Sequence, residues 1–396
     1  MSKNYFTIIF IVITLVLLSL LSIAEFYAVY NTAPPIMLSL SSDGNYAVTS
    51  HDNGDIFLWD IARHKQQLIA RHSNIYSAYF IKHSQNFMWQ DKVDNQVHIQ
   101  NVTGQKILNF TLSYPVYGHV MTTDLQHYIA SDIEWNLYAG YGKNQHLFKI
   151  GYRGFDSVGK LLNLSLSKDD NYLLTAGAGS GWDKYPIITG ENSIKRNLAT
   201  NSKISLLEGI VLWSVKTLEP LQKFPKTLDK VFASLSLDNR YVVAGDAASL
   251  IYIWDRNTKT QSSLDDLTAG HFMGYDKISN EAVWDNTGLI DLPEIFKYQN
   301  GIPIFAVKFI DAEGNYLRFT KSVRYAISYN VSDLKPKKYI YLGEKPWLSI
   351  HNYEYDQSLD TAPEARILAI SQLASCGIVV YRFDAKMQTL TKIWES

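Results

Sequence analysis

Beyond residue 35 the chain is a succession of short apolar runs in which oily side chains tend to alternate with polar ones, separated by clusters of Gly, Asn, Asp and Ser. Alternation with period two marks a strand with one buried face, and the polar clusters supply the turn geometry that joins such strands. The first group reads as strand, turn, strand, turn, strand: 38–40, then Ser41-Ser42-Asp43-Gly44-Asn45, then 46–50, then Asp52-Asn53-Gly54, then 56–61. The pattern then recurs to the C-terminus. A polar residue followed by an aromatic opens the second strand of each group, at Asn45-Tyr46, Asn86-Phe87, His127-Tyr128, Asn171-Tyr172, Arg240-Tyr241 and Asn315-Tyr316, with Arg366-Ile367 in that place in the last group. Tyr46, Phe87 and Tyr128 are 41 residues apart. Third strands are expected at 56–61, 97–102, 210–215, 251–256, 325–331 and 378–383. More polar fourth strands are expected at 65–70, 104–112, 145–152, 218–224, 335–342 and 387–394, where Lys and Gln discourage edge-to-edge pairing with other chains.

A unit of about 40 residues with four short strands, repeated along a chain, is the mark of a β-propeller, an all-β fold in which four-stranded blades close into a ring. The number of blades turns on the stretch 268–300. Asn280-Glu281-Ala282-Val283 parallels Asn45-Tyr46-Ala47-Val48, and 288–295 parallels 54–61, so this stretch reads as a degenerate blade. Eight blades are therefore expected over 36–396, with seven plus an insertion as the alternative. Once the long insertion 177–209 is set aside, the span is the length of about eight such units. Pro293 argues the other way, because proline donates no hydrogen bond to a ladder.

The closing residues of the third strands carry a resemblance. Trp59-Asp60 and Trp254-Asp255 end theirs, Trp213-Ser214 holds the same place in the fourth unit, and Gly-His dipeptides occur at Gly118-His119 and Gly270-His271. In these features the chain resembles the WD40 family. The blades with clear Trp-Asp endings lack Gly-His at the matching place, so the Ser-His-Asp-Trp hydrogen-bond network of such repeats is incomplete. Ser50, Asp52 and Trp59 are the candidates for three of its members in unit one. Trp59, Asp60, Trp213, Trp254 and Asp255 are read as repeat positions that serve packing and turn formation, since every blade needs them whether or not it carries a site. The resemblance implies a surface for holding other molecules.

The N-terminus has a different texture. Residues 5–24 hold no charge and are nearly all Ile, Leu, Val and Phe, about the 20 residues needed to cross a bilayer as a helix. Lys3, with Ser22 and Ala24 before Glu25, also suits a cleaved signal peptide, leaving a secreted propeller. The apolar run is long for a signal core and continues into Phe26, Tyr27, Val29 and Tyr30, residues suited to a membrane interface, which favours an uncleaved anchor. Lys3 lies before the run and no Lys or Arg follows it until Arg63, so residues 1–4 are expected in the cytoplasm. The linker 25–35 and the propeller then lie on the extracytoplasmic side, which is the periplasm in a bacterium.

Composition narrows the chemistry. Charged residues are 19% and the formal net charge is -1, which excludes the strongly basic balance that nucleic acid selects. The 26 tyrosines and 9 tryptophans suit a fold whose sheets pack face to face. Cys376 is the single cysteine, so no internal disulfide forms, and it is read as a small core filler. His64 and His72 have no further ligand beside them, and no zinc site is expected. A Gly-x-Ser-x-Gly elbow and a Walker loop are absent, and Gly177-Ala178-Gly179-Ser180-Gly181 lacks the Lys-Ser/Thr ending that cradles phosphate. Asp265 with Asp266, or Asp291 with Glu294, are the carboxylate pairs an enzyme would use. The favoured reading is nonetheless a non-catalytic scaffold without cofactor that binds a protein, with a propeller enzyme acting on a small substrate in the central channel as the alternative. The insertion 177–209 carries Trp182, Tyr185, Lys195 and Arg196, among them the types that most often anchor interfaces, and these are the candidate partner-binding residues.

Overall fold

The computed structural model describes residues 33–132, 136–141, 147–152, 163–177, 205–206, 210–224, 231–246, 250–265, 271–275, 282–285, 304–320, 325–332, 336–342, 358–372 and 376–396. Seven antiparallel sheets with four consecutive strands each span 35–70, 79–111, 116–152, 163–224, 231–265, 304–341 and 359–395, and are called blades 1 to 7. The second strands open at the positions the sequence pattern singles out: Tyr46–His51, Asn86–Gln90, His127–Asp132, Tyr172–Ala176, Tyr241–Asp246, Asn315–Thr320 and Ile367–Gln372.

Every junction between neighbouring blades has its own apolar core. Val48 and Ile56 of blade 1 meet Phe80 and Phe87 of blade 2. Met88 and Ile99 then meet Tyr128 of blade 3, and Ile129 meets Leu173 and Trp213 of blade 4. Leu174 and Leu212 meet Val242 and Trp254 of blade 5, whose Val243 and Ile251 meet Phe309 and Tyr316 of blade 6. Leu317 and Ala326 meet Leu368 and Val379 of blade 7, and Ala369 and Val380 close the circle on Leu38 and Trp59. The fold is a seven-bladed β-propeller.

The count corrects the expectation of eight blades and matches its alternative. Strands His271–Tyr275 and Ala282–Asp285 pair only with each other among the described residues. The first strand of blade 6, Ile304–Phe309, packs directly on the first two strands of blade 5. The core between Val243 and Phe309 consumes the apolar faces on which an intervening sheet would have to pack, and a two-stranded ribbon has too little face to replace them. The parallel drawn for 288–295 lies outside the described residues. So do residues 5–24, and among the described residues no helix is long and apolar enough to cross a membrane.

The turns between first and second strands repeat a device that alternation alone does not reveal. In blades 1, 4 and 5 the hydroxyls of Ser41, Ser167 and Ser236 each donate to the Asp two residues on, at 2.6 Å, and each accepts the amide of the aromatic that opens the second strand. Thr122 and Asp124 do the same in blade 3. The same Asp accepts the amide of the residue two further along, which fixes the reversal. Between them sits a residue with positive φ: Gly44, Leu125, Asp170 or Asn239.

The tryptophans that end third strands are held by a threonine of the second strand. Trp59 Nε1 donates to Thr49 Oγ1 at 2.9 Å, and Trp213 Nε1 donates to Thr175 Oγ1 at 3.0 Å. In blade 1 the relay continues. His51 Nδ1 lies 2.6 Å from the Ala33 carbonyl, which can only accept, so Nε2 is the bare nitrogen that accepts from Thr49 Oγ1 at 2.9 Å. Trp59 is thus held by Thr49, which His51 backs in turn, and not by the Ser50 and Asp52 that the family network suggests. The pleat explains the shift by one residue: Ser50 points the other way, where its Oγ accepts the Ala78 amide of blade 2. In blade 5 the threonine position is Ala244, and Trp254 Nε1 has no hydrogen-bond partner.

His119 joins blades 2 and 3 from a fully buried position. Its Nε2 donates to the Ser77 carbonyl at 2.6 Å, and Nδ1 accepts from Tyr128 OH at 2.7 Å. Burial pushes its pKa down to about 4, against a smaller opposing pull from the Ser77 carbonyl.

Two outcomes follow. Thr175→Val strands the Trp213 indole N–H and is expected to cost about 1–2 kcal/mol, whereas Ala244→Ser gives Trp254 an acceptor and is expected to gain about 0.5–1 kcal/mol; urea unfolding midpoints measure both. Because the folded His119 pKa is depressed below the unfolded value, its stabilisation is complete above about pH 6.5 and is lost as pH falls towards 4, a change of about 3 kcal/mol. His119→Gln should flatten the stability profile over that window, and an unchanged slope would assign the acid sensitivity elsewhere.

Candidate functional site

The first strand of each blade is innermost, so these strands line a central channel and decide its chemistry. One cavity along it is lined by Leu38, Val120, Leu166 and Leu359 together with Lys82, Lys308 and Asp360. At the end that carries the first-to-second-strand turns the wall becomes charged. Asp360, at the start of blade 7, accepts from the Leu40 amide of blade 1 at 2.9 Å and from Lys82 Nζ of blade 2 at 2.9 Å. Lys82 Nζ also donates to the Leu40 carbonyl at 3.0 Å. Burial opposes a charge on Asp360, yet Lys82, Lys308 and the Leu40 amide together hold its carboxyl below the ordinary carboxylate range. Glu364, further out, pairs with Lys168 of blade 4 and lies 3.5 Å from His83 of blade 2.

This arrangement binds blades to one another. A carboxylate already held by an amide and an ammonium, with a lowered pKa, is a weak general base at neutral pH. The cavities along the channel measure about 100 and 90 Å³. Pockets for drug-sized ligands run from about 300 to 1,000 Å³, so each of these two cavities has room for waters or one small side chain. Among the described residues no group of three or more His, Cys, Asp or Glu is placed to hold a metal ion.

The insertion announces itself by where it joins the ring. It leaves blade 4 after Tyr172–Ala176 and returns at Ile210–Ser214, at the end opposite the charged mouth. Before it returns, Ser205–Leu206 pairs in parallel with Gly151 and Tyr152 of the outermost strand of blade 3, making that sheet five-stranded. The insertion from one blade therefore covers part of the rim of its neighbour and closes an edge that would otherwise stand open. Trp182, Tyr185, Lys195 and Arg196 lie outside the described residues.

The repeat positions have definite places. Trp59 and Trp213 are buried in the blade 7–1 and 3–4 junctions, and Trp254 in the 4–5 junction. Asp60 accepts the Arg63 amide at 3.0 Å and so shapes the turn into the fourth strand. Asp255 does the same for Asn257 at 2.9 Å, and two guanidinium nitrogens of Arg240 reach it at 3.1 and 2.7 Å. Cys376 differs from the expectation of a core filler. It is partly exposed, with φ of 55°, in the turn that precedes the third strand of blade 7. The residues that sequence reasoning passed over are Lys82, Lys308 and Asp360, which sit in no recurring motif. Sequence reasoning also passed over the Ser/Thr-x-Asp turns, whose signal is a Ser or Thr 5 residues before the residue that opens the second strand.

Asp360→Asn keeps the shape and removes the charge that two blades share, so it is expected to lower stability by about 1–3 kcal/mol. Asp60→Asn, which loosens the exposed 3.3 Å pair with Arg63, should change it by under about 1 kcal/mol. Chemical unfolding of both variants measures the difference, and equal small effects would remove Asp360 from the closure of the ring.

No protein-family model matches the chain, and no curated protein matches it. Among solved structures, the β-propeller domain of Cps50 (Swd1) from Myceliophteria thermophila aligns with a TM-score of 0.56 at 10% identity, over 88% of this chain and 96% of that one. At that identity the likeness is one of fold. The chain has the fold of a WD40-like β-propeller.

Proposed function

We propose that this protein is a membrane-tethered, non-catalytic propeller scaffold that captures a protein partner on the extracytoplasmic side, as part of an envelope or secretion assembly. The observation that carries the reading is the pairing of an uncharged apolar run of spanning length at 5–24 with a ring of repeated blades. A scaffold needs a presented surface more than a pocket, and the insertion 177–209 is our candidate for it. Trp182, Tyr185 and Arg196 are of the types that bury much area at interfaces for a modest loss of rotamer freedom, and Lys195 adds a second cation. The single thiol and the absence of a basic field fit an exported protein that does not handle nucleic acid.

Affinity capture from detergent-solubilised native membranes is expected to recover a stoichiometric partner with the full chain. A variant in which 180–205 is replaced by a short Gly-Ser linker should lose it, and Trp182→Ala with Tyr185→Ala should weaken binding by about 2 kcal/mol, roughly 30-fold. Identical recovery by wild type and both variants would sink the assignment of the loop. Protease digestion of intact and permeabilised cells tests the address separately: the propeller should be cut only from outside the cytoplasmic membrane.

A further inference from the structure

We propose that the charged mouth of the channel, at the end with the first-to-second-strand turns, is a binding site for one small oxyanion of carboxylate or phosphate size. The cavity there measures about 100 Å³ and is lined from every blade except blade 3. Its charges do not balance. Lys82, Lys168 and Lys308, from blades 2, 4 and 6, stand against Asp360 and Glu364 of blade 7, which leaves one positive charge over. His83, 3.5 Å from Glu364, adds to that excess when it is protonated. The adjoining cavity of about 90 Å³ repeats the pattern, with Lys82 and Lys308 beside Asp360 alone. The site uses no part of the apolar run or of the insertion.

The excess charge sits in a recess. The side chain of Lys82 is 30% exposed and that of Asp360 18%. A cleft walled by protein focuses the field of its charges, and a cation that water reaches poorly gains more from a counter-ion than one on open surface. Donors are left over as well. An ammonium carries three N–H groups, and Lys82 gives one to Asp360 Oδ2 at 2.9 Å and one to the Leu40 carbonyl at 3.0 Å. The hydroxyls of Ser42 and Ser234 accept the amides of His83 at 2.9 Å and Phe309 at 3.3 Å, so their own protons remain for another acceptor.

Ser167 and Ser236 line the same cavity but donate to Asp169 and Asp238 within their own turns. The donors that remain therefore come from blades 1, 2 and 5. An anion that accepts from them ties blade 5 to blades 1 and 2 across the channel, through charge-assisted bonds stronger than those a water would make. The volume sets the size of the ligand. A phosphate or a short carboxylate fits, whereas a nucleotide or a sugar chain needs a pocket of about 300 Å³ or more.

The test is equilibrium dialysis of the full chain in detergent, at constant ionic strength in a buffer whose only other anion is a bulky sulfonate, with radiolabelled inorganic phosphate or acetate as the probe. One of the two, or each, should bind saturably at one per chain, and which of them binds tells a phosphoryl from a carboxylate ligand. Lys308→Met removes the charge excess and should weaken binding by about 10-fold or more. Glu364→Gln enlarges it and should tighten binding several-fold. Lys223→Met, on the exposed outer strand of blade 4, should change nothing. Absence of saturable binding by both anions overturns the proposal, and so does a Glu364→Gln variant that binds no more tightly than the wild type or a Lys223→Met variant weakened as much as Lys308→Met. Should Lys308→Met fail to fold, Glu364→Gln decides alone, because that side chain lies at the rim and is 30% exposed.

Discussion

Ring closure is the constraint on which everything else depends. Each blade buries one face on its predecessor and the other on its successor, so no blade is stable by itself and the set is complete only when the last meets the first. Here the four strands of each blade come from one stretch of the chain, with Ser205–Leu206 added to blade 3 from the insertion of blade 4, and the outer strand of blade 7 is Thr389–Glu395. The seam between blades 7 and 1 is therefore made by side chains. Leu38, Leu40 and Trp59 pack on Ala369 and Val380 in its middle, and Trp394 sets its edge 5.9 Å from Trp59 on the outer side, with His64 stacked on Trp394. At the inner side Asp360 ties the Leu40 amide to Lys82, so that blades 7, 1 and 2 share one charge.

Hydrogen bonds across the other junctions follow the same logic. The His83 amide donates to Ser42, the Thr123 hydroxyl to the Lys82 carbonyl, the Thr123 amide to Asp170, and the Asn239 side chain to Asp169. Arg366 reaches Glu313 across the junction of blades 6 and 7. Neighbouring blades are thus fastened at the end of the ring with the first-to-second-strand turns, and at the other end Ser50 accepts the Ala78 amide and Gln90 the Val116 amide of the next blade, near where the chain enters at Ala33.

Much of this was legible in the sequence because a blade is a local object. The Asn-Tyr and Asn-Phe starts of second strands, the runs that make third strands and the Lys- and Gln-bearing outer strands each depend on neighbours within about 15 residues, where alternation and turn chemistry dominate. The Thr49–Trp59 and Thr175–Trp213 bonds were not read, because their partners sit on adjacent strands and the register that joins them is set by pairing. The family network pointed to Ser50 and Asp52, and one residue of pleat sent the contact to Thr49 and His51 instead.

The sequence by itself determined that the chain is all-β, that it repeats in four-stranded units, where those units begin, and that an apolar run of spanning length precedes them. Only the tertiary structure decided that there are seven, because the number of blades is fixed by which apolar faces meet around the circle, and Val243 against Phe309 leaves no room for the ribbon at 271–285 to act as an eighth. It likewise brought Asp360 to Lys82, residues 278 apart in the chain, and placed Ser205–Leu206 on the rim of another blade. Contacts of that kind arise from closing a ring, and no short-range pattern of residues encodes them.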